Sequence, residues 1–163
     1  MQGAVIAEQS HVVNILPPVD ITGGKTCQAF NMKNHGHATI VVQIGVSAAA
    51  FTKIIVSYGT ATAAVGATIA GATAMPFSIY KQETAGADQD ILGARTAVLA
   101  AGYTPSANDG IMYVIEIDAR ELADGNPYVQ LSFTNGSNSV IASAIAILSG
   151  PRFSGATQAT ATT

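Results

Sequence analysis

Three histidines, ten carboxylates and one cysteine are the residues in this 163-residue chain best equipped for chemistry. His35 and His37 flank Gly36, and a His-x-His pair on a strand points both rings to one face, where they could ligate a metal. The plainer use of Asn34-His-Gly-His37 is a polar turn feeding the next strand. Glu116 and Asp118 sit two residues apart, about 7 Å by strand rise. An acid/base pair needs comparable proximity, about 5 Å in retaining glycosidases, but a solvated strand face uses the same pattern. Gly66 and Gly71 have the spacing of a phosphate-binding loop, yet Ala72 stands where the lysine must be. Gly45-Val-Ser47-Ala-Ala49 lacks the second glycine of a nucleophile elbow. Asp88 and Asp90 read as loop carboxylates. Asn135-Gly-Ser137 matches a glycosylation sequon, but Asn-Gly is foremost a hairpin turn. Cys27 cannot form an intramolecular disulfide and reads as a small buried hydrophobe. These residues predict no enzyme, no metal site and no cofactor.

The elements that carry these residues are strands. In Ile111–Asp118, Ile111, Tyr113, Ile115 and Ile117 share one face and Glu116 and Asp118 the other. Tyr128–Phe133 sets Val129, Leu131 and Phe133 against Tyr128, Gln130 and Ser132. Thr39–Ile44 sets Ile40, Val42 and Ile44 against Thr39, Val41 and Gln43. Such alternation marks antiparallel strands with one face in a core. His11–Leu16, Thr26–Met32, Phe51–Tyr58, Met75–Lys81 and Ser139–Leu148 bring the number to eight, separated by Pro17-Pro18, Gly23-Gly24, Asp109-Gly110, Asp124-Gly125 and Asn135-Gly136. The prediction is all-β: an antiparallel, jelly-roll-like β-sandwich of about eight strands. Only Ala119–Ala123 and Asp88–Leu99 suit short helices. A single domain over 11–150 is expected, with an N-terminal arm over 1–10, a C-terminal arm over 151–163, and 61–74 as a long low-complexity loop or excursion.

Composition narrows the function. Charged residues are 10% of the chain, against about 25% in an ordinary soluble domain. Intrinsic disorder is excluded by 48% hydrophobic residues, and a coiled coil by the scarcity of Glu and Lys. A net charge of −3 gives no basic footprint for nucleic acid. The most membrane-like stretch, the uncharged run 54–80, is too rich in Ala, Gly and Thr for a membrane span. With no secretory signal in MQGAVIAEQS, the expectation is a soluble protein made in a reducing cytoplasm.

A chain with so few charges has surface to be covered. The strand Ser139–Leu148 is apolar on both sides, with Ile141, Ile145 and Ile147 on one and Val140, Ala142, Ala144, Ala146 and Leu148 on the other. A strand of this kind is covered twice, by the core and by either a second subunit or the 61–74 excursion. Val140, Ala142, Ala144, Ala146 and Leu148, with Arg152 and Phe153 at the start of the C-terminal arm, are the candidate partner-contact residues.

The text from Gly102 to Phe153 has a distinctive order: a strand ending Glu116-Ile-Asp118, the segment Ala119-Arg-Glu-Leu-Ala-Asp-Gly125, Pro127-Tyr-Val-Gln-Leu131, then an Ala/Ile strand closing Leu148-Ser-Gly-Pro-Arg152. With Val13-Asn-Ile-Leu-Pro-Pro-Val-Asp-Ile21 it resembles small structural proteins encoded among the head genes of tailed bacteriophages, over roughly residues 10 to 153. The resemblance implies a minor capsid or decoration (cement) protein on the outer surface of the capsid shell. Its implied partners are the major capsid protein and itself, as dimer or trimer. Neither nucleic acid nor membrane is implied, and its place is the virion, assembled in the bacterial host cytoplasm. A neck, tail or head-fibre-base protein is the neighbouring alternative. A carbohydrate-binding or adhesive module is a further one, opposed by the absence of Trp and the scatter of the five Tyr.

Overall fold

The computed structural model describes residues 5–84 and 91–152. A four-residue helix α1 (Ile6–Gln9) precedes eleven strands: β1 (His11–Asp20), β2 (Lys25–Thr26), β3 (Phe30–Asn31), β4 (His35–Ser47), β5 (Lys53–Gly59), β6 (Thr73–Ala74), β7 (Phe77–Gln82), β8 (Thr96–Val98), β9 (Ile111–Asp118), β10 (Tyr128–Thr134) and β11 (Val140–Pro151). One sheet has the order β1-β11-β4-β9-β7-β8; the other runs β2-β10-β5-β6, with β3 also pairing β10. All the pairings are antiparallel. Taking β2 and β3 as one broken strand and setting aside the β7-β8 hairpin, eight strands remain. Their orders are 1-8-3-6 and 2-7-4-5, the two interlocked Greek keys of a jelly roll. The chain is an all-β sandwich as its alternation requires.

Eight expected strands correspond to observed ones, with Thr26–Met32 broken into two short pieces. Two strands are additional: β6, and β8, which lies where a short helix over Asp88–Leu99 was expected. In the described part of that range, Thr96–Val98 is a strand, because Phe77, Ser78 and Ile79 offer it a ladder. The helical expectation at Ala119–Ala123 becomes a single 3-10 turn, Ala119–Glu121, closed by a reciprocal cap between Asp118 and Glu121. β1 continues through Pro17-Pro18, where a strand end was expected. Proline lacks the N–H that a two-sided ladder needs, so it is tolerated at a sheet edge or a bulge. β1 is an edge strand, and its register slips on either side of Leu16.

Between the sheets, Ile15, Leu16, Phe30, Ile40, Val42, Phe51, Ile54, Ile79, Tyr113, Ile115 and Leu131 are almost fully enclosed. On β11 the face nominated for a partner is the one that points inward. Val140, Ala142, Ala144, Ala146 and Leu148 are at most 1% exposed, whereas Ile141 and Ile145 are each 38% exposed. The reason is the neighbouring strands. Ala144 lies between Leu16 of β1 and Val42 of β4, and Ala146 between Val13 and Ile40. Large aliphatic residues on both flanks leave room for only a methyl between them. These five residues are core and offer no surface to a partner. Phe153 lies outside the described residues, and Arg152 is exposed.

The excursion covers the outer face of the second sheet, not β11. Gln130 of β10 points outward but is 2% exposed. Its Oε1 accepts from the Ile69 N–H at 3.0 Å, and its Nε2 donates to the Cys27 and Ala67 carbonyls at 2.9 and 2.7 Å. The Ala29 and Gly66 amides bond the Ala63 and Thr26 carbonyls. The uncharged stretch 60–72 is therefore a covering layer for its own sandwich.

Candidate interaction surface

Among the described residues the outer face of the six-stranded sheet is open over β1, β11, β4 and β9, while Ser78 and Gln82 of β7 are buried on it. Cross-strand register aligns its side chains in rows. One row runs Asn14, Ile145, Val41, Val114, Tyr80; the next runs Val12, Ile147, Thr39, Glu116, Ser78; a third runs Ser143, Gln43, Met112, Gln82. Val12 is 47% exposed, and Val41, Val114 and Ile147 are half-buried by one another. The result is an aliphatic band across β1, β11, β4 and β9. Singly exposed hydrophobic residues are normal, but a contiguous apolar patch marks a surface that associates.

At the β9-β7-β8 corner the same face becomes polar. A groove of about 780 Å³ is lined by residues including His37, Thr39, Tyr80, Arg95, Glu116 and Arg120. Glu116 Oε2 lies 2.6 Å from His37 Nε2 and accepts from Thr39 Oγ1 at 2.7 Å. Arg95 Nε donates to Ser78 Oγ at 2.8 Å. Arg120 grips both oxygens of Asp118, at 3.0 and 2.9 Å, and its backbone N–H adds a third bond. These bonds hold the Asp118 carboxyl well below the usual carboxylate range. A general acid needs the opposite displacement. Glu116 and Asp118 do share an outward face, as expected, but each is tied to its own partner, Glu116 to His37 and Thr39 and Asp118 to Arg120. The corner acts as a polar stitch across β4, β9 and the 3-10 turn.

The His-x-His pair does not converge. His37 joins Glu116 on the outer face, while His35 is 5% exposed and stacks on His11, with ring centroids 6.1 Å apart. Gly36 and Gly150 separate the two positions on β4 and β11, and Gly150 has φ +61°. Cys27 is buried, and enclosure pushes its thiol far up, so it is inert as a nucleophile. The Gly66–Gly71 run belongs to the covering layer. Asp88 and Asp90 lie outside the described residues.

Two clusters escaped sequence reasoning. Glu83 Oε1 accepts from the Tyr103 and Tyr113 hydroxyls at 2.6 and 2.8 Å and from the Ser106 N–H at 3.2 Å, with Lys81 Nζ 3.6 Å from Oε2. Asp20 gathers Thr22, Ser139 and the Val140 amide, and these bonds lower its carboxyl to about 2. Both join segments distant in sequence, so no local pattern announces them. No family model, curated protein or solved structure matches this chain.

Proposed function

We propose that this chain is a non-enzymatic structural protein of a tailed-phage virion, a decoration or minor capsid protein seated on the outer surface of the shell. The observation that carries the docking part is the open aliphatic band on the six-stranded sheet, on a molecule that covers its other sheet with its own excursion. The phage assignment rests on the resemblance of residues 10 to 153. Three inter-strand gaps make the band about 14 Å wide and the ladder of β9 makes it about 26 Å long. That is on the order of 370 Å² in projection, about half of the roughly 800 Å² per partner of a standard interface. Its partners are the major capsid protein and neighbouring copies of itself. Repetition over a shell lets each contact be modest, because neighbours add avidity.

Shells assembled without the protein supply the test. Wild-type chain should saturate them in co-sedimentation, with electron microscopy placing it on the shell. The Val41→Lys/Ile145→Lys variant should bind at least about tenfold more weakly, a loss of about 1.4 kcal/mol. Undiminished binding by that variant overturns the assignment of the face. Density confined to the neck or tail overturns the place on the shell.

A further inference from the structure

The His11–His35 pair lies apart from the proposed docking face and plays no part in it. His11 opens β1, directly after α1, and pairs with Leu148 of β11. His35 opens β4 and pairs with Pro151, the last residue of β11. The rings lie 20° from parallel. His35 Nδ1 is buried without a hydrogen-bond partner, an arrangement a native core normally avoids. Buried nitrogen with no partner is tolerable on a neutral ring and costly on a charged one.

We propose that His11 and His35 form a proton-operated latch on the N-terminal end of β1. With both rings neutral, the strand end is seated on β11; when both are protonated, it lifts and frees α1. The surroundings offer the second charge no compensation. Near the pair β11 contributes Leu148, Ser149, Gly150 and Pro151, none ionisable. The turn before β4 contributes Lys33, and the residue after β11 is Arg152, whose N–H bonds the Asn34 carbonyl; both side chains are cationic. Glu8 on α1 is exposed, and no ion pair joins a carboxylate to either ring among the described residues. His37 and Glu116 are occupied with each other on the outer face. Burial and the neighbouring His11 charge both disfavour protonation of His35. A histidine depressed in the folded state stabilises fully above the unfolded value of about 6.5, and that stability is lost as pH falls below it.

Hydrogen exchange on the full chain, corrected for intrinsic rates, is the test. Protection of the amides of residues 11–14 should fall by about tenfold or more from pH 7.5 to pH 5, while residues 40–44 of β4 keep theirs. His35→Phe, which replaces the ring with an apolar one, should remove the pH dependence. His11→Phe provides the same readout from the more exposed partner should His35→Phe not fold. Equal protection at both pH values in the wild type, or a pH dependence that survives in either folded variant, overturns the latch.

Discussion

Glu83 illustrates how a single side chain gathers distant segments. It ties the described end of β7 to the loop before β9, through Tyr103 and the Ser106 amide, and to β9 itself through Tyr113, which is fully enclosed. Burial pushes its carboxyl up, but the Tyr103 and Tyr113 hydroxyls and the Lys81 charge outweigh burial and hold it below its ordinary value. A carboxylate lowered on folding stabilises above its unfolded value and loses that contribution as pH falls through the folded one. Glu83→Gln should therefore cost about 1–3 kcal/mol at pH 7, as expected for charge-assisted bonds. The gap to wild type should narrow below about pH 4, the unfolded carboxylate range. Urea unfolding at pH 7 and pH 3 measures both; a constant gap would show that the carboxylate charge contributes nothing. None of this was legible in the sequence, where Lys81, Glu83 and Tyr103 are unremarkable loop and strand-end residues.

At the scale of elements, the excursion 60–72 depends on the buried amide of Gln130. Gln130→Leu removes one acceptor and two donations, leaving the Ile69 N–H and the Cys27 and Ala67 carbonyls without that partner. The expected cost is about 2–4 kcal/mol, because buried backbone groups lose their compensation. Limited proteolysis should then cut within 61–72 while the sandwich stays intact; a variant as resistant as wild type would place the excursion's anchorage elsewhere. Gly59 fixes the same layer from the other side: a Cβ there would lie 2.5 Å from the Ala70 carbonyl oxygen. Strand positions were readable because period-2 alternation is local. The covering role of 60–72 was not, since small uncharged residues suit any close packing and the partner, Gln130, lies some sixty positions away.

For the whole molecule, β11 separates surface from core within one strand. Ala144→Leu should destabilise by about 1–3 kcal/mol through overpacking between Leu16 and Val42. Ile145→Lys, one residue on, should change stability by less than about 0.5 kcal/mol, as outward substitutions usually do. Thermal or denaturant unfolding of the two variants checks the assignment of faces; reversed effects would mean that the alanines face outward. The docking surface of the proposed function depends on the same distinction.

The sequence by itself determined eight strand positions, the all-β class and the sandwich, because alternation and turn chemistry act over a few residues. It also determined which β11 residues share a face. Which face turned inward was decided only by the tertiary structure. Both faces are apolar, so transfer from water favours neither strongly. Fit between Leu16, Val13 and the β4 isoleucines and valine chose the alanines for the core and left the isoleucines outside. Tertiary structure likewise parted His35 from His37 and brought His35 to His11, an encounter across two strands that no spacing in the chain encodes.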